Sequence, residues 1–347
     1  MKDAMAPGLE LSCDGAPLSR QTVEMVTEVM VESRLDLPGS FALWLTDAAL
    51  ASIDRRDGKL QEGVRLDIAL GYAPKFRTLI TGEIGTVSAE MSPQGVFARV
   101  AGFDLLHRLA RGTNYRRYES GGGEALTDSA IARSLLSQAG LRPTVDETPG
   151  RSVPRTQDNR SDLDFLAMLA GLNSCCLYSE GDRAFFMQSP PDRGEARLRW
   201  GENLRTFYPR LCLDGRVRTL EVRGRDASLD ENYSETVERP REELLLLSSA
   251  GQDMLGRGSG GQSRLSLHDA LITSGSDARQ FLPGALRDRQ ALLLATGSCI
   301  GDPGIRAGTR LHIGGAGRFD GSYLVTRAVH RFGGRGYTTE FDARILP

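Results

Sequence analysis

Gly63-Val64-Arg65-Leu66-Asp67-Ile68 returns near the other end of the chain as Gly308-Thr309-Arg310-Leu311-His312-Ile313. Four positions are identical: Gly63 with Gly308, Arg65 with Arg310, Leu66 with Leu311 and Ile68 with Ile313. Downstream of each copy a strand-like stretch opens on a glycine, Gly82 or Gly321. It then runs through Ala89 or Ala328 and a further glycine to Phe103-Asp104 or Phe341-Asp342. Self-similarity of this kind bears on architecture before any single motif does. Two related β units, neither with a catalytic signature, point to an assembly part rather than an enzyme. Gly63, Gly82, Gly308 and Gly321 read as backbone-conformation positions rather than binding residues.

Composition sets the outer limits. A chain of 347 residues predicts about two or three domains with ample core. Hydrophobic content of 40% with 25% charge is that of an ordinary globular protein. Runs such as Ala291–Ala295 and Leu244–Leu247 fall far short of the ~20 residues of a membrane helix, so no membrane partner is expected. Met1-Lys2-Asp3-Ala4 lacks the basic start and apolar core of a signal peptide, which predicts synthesis and assembly in the cytoplasm. The net charge of −2 argues against a dedicated nucleic-acid binder. Lysine occurs only at Lys2, Lys59 and Lys75, so nearly all cationic charge is arginine. Coding bias explains most of that preference, and the planar guanidinium also suits interfaces. Cys13, Cys175, Cys176, Cys212 and Cys299 show no CxxC spacing and read as buried small hydrophobes.

The first hundred residues read as β: Leu9–Cys13, a strand alternating Val23, Met25, Thr27, Val29 and Val31 with glutamates, Phe41–Leu45, Val64–Leu70, Thr78–Met91 and Val96–Phe103. Short strands divided by turn signals predict a small barrel or sandwich. The character then changes. Thr127-Asp128 can cap a helix with Ile131, Leu135, Leu136 and Ala139 on one face, stopped by Gly140. Ser161-Asp162-Leu163-Asp164 resembles a capping box ahead of a helix over Phe165–Leu172, and Cys175–Tyr178 with Ala184–Gln188 predicts a hairpin. The β pattern resumes at Arg216–Gly224. Residues 227–262 turn polar and then glycine-rich, reading as an exposed excursion, and Ser276–Leu294 reads as a helix interrupted at Pro283-Gly284.

Catalytic chemistry finds few candidates. The histidines are His107, His268, His312 and His330. No two stand four apart, so no metal site is expected, and His312 and His330 read as facing solvent or a subunit contact. Asp320, Glu340 and Asp342 fit turns and edges better than an acid/base pair, and no GxSxG is present. Gly314-Gly315-Ala316-Gly317 superficially resembles a phosphate loop, but a strand rather than a helix follows it, so no nucleotide cofactor is expected. Arg108-Leu109-Ala110-Arg111 and Tyr115-Arg116-Arg117-Tyr118 read as charge guarding a strand edge more readily than as a nucleic-acid contact.

Gly102–Leu109 resembles the segment that closes the first barrel in the phage late control D family, the hub proteins of contractile tails, related to the N-terminal part of VgrG spike proteins. Four further stretches fit in order: Thr127–Leu141, Gln157–Leu166, Trp200-Gly201-Glu202-Asn203-Leu204, and Gly321–Thr326 through His330-Arg331-Phe332. The resemblance implies a homotrimer of two β-barrels per chain, six in a ring, joining a hexameric inner tube above to a trimeric spike below. Other baseplate proteins are possible neighbours, and the setting is a phage tail, a tailocin or an injection system. VgrG proteins continue into a further barrel and a β-helical spike. This chain stops at Pro347, so the spike is expected to be a separate protein.

The expected fold class is mainly β with α+β. The expected domains are a first barrel over 1–104, an α+β domain over 105–204, a discontinuous second barrel over 205–226 plus 300–347, and an insertion over 227–299. Two rivals belong to other classes. A tail-associated peptidoglycan hydrolase would need paired carboxylates in a cleft, for which Asp158, Asp162 and Asp164 are the nearest candidates, though helix capping explains them. A glycan- or peptide-binding module would lean on Trp44 and Trp200, whose contexts are too apolar for sugar stacking.

Overall fold

The computed structural model describes residues 6–35, 37–46, 59–93, 95–120, 126–151, 154–189, 191–211, 219–226, 230–238, 264–267, 272, 274–288 and 293–345. The fold is mainly β. Ten strands carry the argument: β1 (Val26–Arg34), β2 (Ser40–Thr46), β3 (Arg65–Tyr72), β4 (Lys75–Ser92), β5 (Gly95–Asp104), β6 (Leu204–Leu211), β7 (Leu293–Ile300), β8 (Arg310–Gly314), β9 (Gly321–Gly333) and β10 (Gly336–Ile345). They belong to one 13-stranded sheet in the order β6-β7-β10-β9-β1-β2-β5-β4-β3, continued by Pro7–Cys13 and Ala16–Pro17. Off this path β8 pairs with β9 and with Glu195–Arg199.

Period-2 alternation builds the first unit. Val29, Val31, Leu43, Leu45, Leu66, Ile68, Leu70 and Val100 are all buried in one core. The strand read from Val23 starts instead at Val26. Ser19 Oγ accepts the Thr22 N–H (3.2 Å) and caps a short helix, α1 (Arg20–Glu24), so the chain enters the sheet one turn later.

The second unit repeats the first in register. Arg65 pairs with Glu83, Leu66 with Gly82 and Ile68 with Ile80; Arg310 pairs with Leu324, Leu311 with Tyr323 and Ile313 with Gly321. The Gly63 N–H donates to Ile84 O (2.7 Å) and the Ile84 N–H to Val64 O (3.0 Å). The Gly308 N–H likewise donates to Val325 O (2.7 Å) and the Val325 N–H to Thr309 O (3.0 Å). Both glycines are left-handed, at φ +85° and +93°. The hairpins close alike at Ser92–Gly95 and Gly333–Gly336, and each slips once, between Ile84 and Thr86 and between Val325 and Arg327. The outer strands slip at matching places, between Val26 and Glu28 and between Leu204 and Thr206. Thus β1–β5 correspond to β6–β10, strand for strand.

Gly82 and Gly321 do not correspond. The counterpart of Gly82 is Tyr323, opposite Leu311, whereas Gly321 stands opposite Ile313. Gly82 is small because a side chain there would meet the Phe103 carbonyl oxygen at 2.3 Å.

Between the units lies a second core. Thr127 caps α2 (Asp128–Gln138), and Gly140 ends it at φ +74°. Ser161 Oγ accepts the Asp164 N–H (3.0 Å) and caps α3 (Asp162–Leu172) while donating to Asp164 Oδ2 (2.7 Å). The hairpin forms from Cys176–Glu180 and Arg183–Met187. Thr219–Asp226, read from the sequence with the second β unit, pairs instead in a separate sheet with Glu231–Glu238 and Arg264–Leu267. The reason is packing. Leu220 and Val222 share a buried cluster with Leu135, Phe165, and Ala278 and Leu282 of α4 (Gly275–Asp288). On the other face Glu221 receives Arg223, Ser234, Arg264 and Ser266, with Arg223 the strongest partner, and its carboxyl is held down at about 2. Of the helix expected over Ser276–Leu294, the described part lies within α4 (Gly275–Asp288), whereas Leu293–Ile300 is β7, a strand. Most of the glycine-rich excursion, 239–263, lies outside the described residues.

One buried ion pair ties this core together. The Arg155 guanidinium, 2% exposed, donates to both oxygens of Asp128 (3.0 and 3.3 Å) and lies 4.0 Å from Asp277 of α4. Asn173 Nδ2 donates to Asp128 (2.8 Å), and Gln280 Nε2 donates to Asn173 Oδ1 (2.5 Å). Removing one partner strands the other charge, so Asp128→Ala is expected to cost about 3–5 kcal/mol in urea unfolding. Gly308→Ala and Gly63→Ala should differ. Both strain a left-handed backbone by about 1–2 kcal/mol. Only the Gly308 methyl meets a neighbour, Pro191 at 2.4 Å, so its loss of melting temperature is expected to be the larger.

Candidate functional site

The place where the two units meet is a strand seam. Seven residues of β9, Arg327–Gly333, pair antiparallel with Glu28–Arg34 of β1, Arg327 opposite Arg34 and Gly333 opposite Glu28. The Leu35 N–H extends the ladder to Thr326 O (3.0 Å), the Ala307 N–H reaches Ser33 Oγ (3.0 Å), and the Tyr72 hydroxyl donates to Gly301 O (3.0 Å). Phe332 and Tyr337, from the second unit, pack into the core of the first.

The outer face of the seam is electrostatic. Arg327 grips Glu32 with two donors (2.9 and 3.1 Å), and Arg34 adds a third contact (3.1 Å). The Arg327 hydrogen bond holds the Glu32 carboxyl below the ordinary carboxylate range. Arg331 stands 3.4 Å from Glu340 and 3.9 Å from Glu28.

The inner face holds His330, and here expectation and structure differ. His330 was expected to face solvent or a subunit contact; it is 1% exposed. Its Nε2 donates to Ile305 O (2.9 Å), so Nδ1 is the acceptor facing the Tyr337 (2.8 Å) and Thr339 (3.1 Å) hydroxyls. Burial pulls its pKa from 6.5 to about 3, and the ring stays neutral. The unfolded chain takes up that proton near pH 6.5, the folded chain only near 3. The seam's contribution is therefore complete above pH 6.5 and lost as pH falls toward 3, at up to about 1.4 kcal/mol per pH unit.

The remaining candidates are dispersed. His312 meets Ser322 (2.8 Å) and Glu195 (3.3 Å), and His107 meets Asp104 O (2.7 Å) and Glu83 (3.3 Å). His268 and Cys212 lie outside the described residues. Cys13, Cys175 and Cys299 are buried, their thiols pushed up to about 11, 12 and 12 by desolvation. Asp320 accepts from the Gly315 (3.3 Å) and Ala316 (2.6 Å) amides, so the loop's own carboxylate sits where a phosphate would. Asp164 serves as the cap partner of Ser161. Asp162 takes Gln157 (2.7 Å), Asn114 and Arg116 (both 3.0 Å). Arg108 and Arg111 converge on Glu83, Arg117 pairs with Glu119, and Tyr118 stacks on Phe165 at 5.7 Å. Trp44 lies under Arg99 (5.5 Å), and Trp200 is 53% exposed.

A cavity of about 220 Å³ opens beside the seam, lined among others by Glu32, Gly39, Asp104, Glu180, Arg193 and Arg306. Asp104 accepts from the Gly39 (2.7 Å) and Leu106 (3.0 Å) amides, yet burial outweighs them and raises its carboxyl to about 6. Arg193 Nε lies 3.0 Å from Glu180 without hydrogen-bond alignment. Burial, with Arg193 and Arg77 nearby, lowers Arg306 to about 10. Each carboxylate named here is tied to an amide or an arginine. Among the described residues no group of three or more His, Cys, Asp or Glu is placed to hold a metal, and no helix is long and apolar enough to cross a membrane. The seam missed by sequence reasoning had one signal: the period-2 glutamates of β1 face the arginines of β9.

Comparison with known proteins gives one family and a consistent set of folds. The sequence model of the family Alg8_N, the Alg8 N-terminal domain, matches residues 5–333. No curated protein matches in sequence. The fold is similar to that of the 43 kDa tail protein of prophage MuSo2 from Shewanella oneidensis, with TM-score 0.70 and 14% identity over 97% of this chain and 98% of that one. It is similar to a tail protein from Neisseria meningitidis, with TM-score 0.68 and 13% identity over 98% and 96%. It is also similar to a component of the type VI secretion system of E. coli, itself described as similar to bacteriophage tail proteins, with TM-score 0.59 and 13% identity over 97% and 77%. The resemblance to contractile-tail hub proteins read from the sequence therefore holds at the level of the fold. Urea midpoints between pH 7.5 and 4 check the role of His330: wild type is expected to weaken steadily below pH 6.5, and His330→Gln to start lower but show a flatter slope.

Proposed function

The chain belongs to the family of the Alg8 N-terminal domain, and from this, its fold and its internal repeat we propose that it is the baseplate hub of a contractile injection machine. The observation that carries the reading is the strand-for-strand correspondence of β1–β5 with β6–β10 inside one sheet. A chain that presents the same unit twice offers six such units when three copies assemble. A homotrimer then meets a sixfold inner tube on one side and a threefold spike on the other.

In this reading each unit closes as a small barrel, and the seam fixes the angle between the two. The domains are a first barrel over 1–104, an α+β domain over 105–204 and a second barrel drawn from 205–226 and 300–347, with an insertion over 227–299. Two sets of elements depart from that division: Thr219–Asp226, Glu231–Glu238, Arg264–Leu267 and α4 pack with the α+β core, and β7 (Leu293–Ile300) belongs to the second unit. The protein acts as a rigid adaptor and a length of conduit in a tail particle, without catalysis. The engaged state of Asp162 and Asp164 supports this over a hydrolase. An inner tube protein, a spike protein and other baseplate proteins are its partners.

Native mass spectrometry of the full chain, alone and co-expressed with its adjacent spike protein, tests the reading. A trimer, or a three-to-three complex with the spike, is expected. A monomer under both conditions would sink it.

A further inference from the structure

The sheet order runs β6-β7-β10-β9 and then β1-β2-β5-β4, which is the same four-strand order twice. The seam joins the last strand of the first set, β9, to the first strand of the second, β1. The counterpart of β9 is β4, and the counterpart of β1 is β6. Among the described residues β4 has no partner on its outer side beyond Ile84, which meets Gly63 and Val64, and β6 pairs only with β7 and the isolated bridge at Trp200. Among the described residues, the two edges that would complete a second seam therefore both lack a partner, at opposite ends of the path.

We infer that the outer half of β4, Thr86–Ser92, pairs antiparallel with β6 of a second copy of this chain, repeating the internal seam between molecules. Carrying the register of the internal seam across places Ser88 opposite Arg210, Glu90 opposite Tyr208 and Met91 opposite Phe207.

Side chains support that register. Met91 is 76% exposed, whereas its counterpart Phe332 packs into the neighbouring core beside Val29. Phe207, the counterpart of Val29, packs against the core of its own unit, edge-on to Tyr323. Met91 would cover it as Phe332 covers Val29. Tyr208 is 67% exposed, while its counterpart Met30 is half-buried under the seam.

Charge is complementary and reversed in sign. In the internal seam Arg331 attracts Glu32 across the diagonal. The corresponding residues are Glu90 and Arg210, both exposed, so the attraction persists with the signs exchanged. The exchange also discriminates. Pairing β4 with a foreign β1 would set Glu90 against Glu32, and pairing β9 with a foreign β6 would set Arg331 against Arg210. One donor is missing: the Leu35 N–H to Thr326 O bond sets the alternation by which Val31 turns its backbone toward β9, and Pro209 holds that position in β6. The intermolecular seam is thus weaker by one hydrogen bond, which guards the edge against indiscriminate pairing.

A contact between two different edges is head-to-tail and closes only as a ring or an open helix. The inference rests on the hub reading for the number of copies alone.

The test is disulfide trapping in the full chain. Directly opposed residues bring their Cβ atoms to about 5 Å, so Ser88→Cys with Arg210→Cys is expected to form interchain disulfides under mild oxidation. The products should rise to a covalent ring on non-reducing gels and collapse with reductant. Neither single variant should do so. In parallel, Glu90→Arg should weaken self-association roughly tenfold, and Glu90→Arg combined with Arg210→Glu should restore it. If native mass shows an oligomer but the double cysteine variant cross-links no better than the singles, the edge assignment is wrong and the hub reading stands. The same holds if the charge exchange fails to restore assembly. If the chain is monomeric at every concentration, the ring itself is overturned, and the hub reading with it.

Discussion

Seven antiparallel rungs between β9 and β1 make two β units into one sheet, and much of the molecule is arranged around them. On one face they align Arg327 with Glu32; on the other they bury Ala328 and His330 and half-bury Phe332. Burying an imidazole is costly unless both nitrogens find partners. Here a carbonyl and two hydroxyls supply them, and each partner, Ile305, Tyr337 or Thr339, comes from the second unit. The seam thereby draws the loop before β8 and the start of β10 into the boundary. A rigid junction needs this kind of fixation from several segments at once.

The α+β module follows a different logic. Its core is apolar, but its centre is the Arg155–Asp128 pair with Asn173, Gln280 and Asp277 gathered around it. Two charges in so dry a place contribute little net stability compared with well-packed apolar residues. What they do is join the helices: Asp128 opens α2, Asn173 ends α3, and Asp277 and Gln280 lie on α4. A segment more than a hundred residues downstream is thereby tied to the module, through Gln280 on Asn173.

Much of this was legible in the residues. The capped helices announced themselves through Thr127, Ser161 and Gly140, and the repeat through Gly63 and Gly308, read as backbone-conformation positions. Local signals of this kind are written in adjacent positions. The seam was not legible, because Arg327 and Glu32 lie nearly three hundred positions apart and each looks like an ordinary surface charge in isolation. Gly82 misled for a related reason: a glycine that opens a strand and a glycine that yields space to Phe103 look alike in one dimension. Leu220 and Val222 showed a β pattern but not which core would receive it. His330 was misread because period 2 says which neighbours share its face, not whether another strand will cover that face.

The direction of the seam strands has a mechanical meaning. Rungs of an antiparallel ladder lie across the strands, so a load applied along β1 and β9 shears all of them together. A load that splays the two units opens them one after another from an end. The ends of this ladder are the places where extra fastening is found, Leu35 on Thr326 and Arg327 on Glu32 at one end, Arg331 beside Glu28 toward the other. The junction is stiff to sliding along its strands and reinforced where peeling would begin.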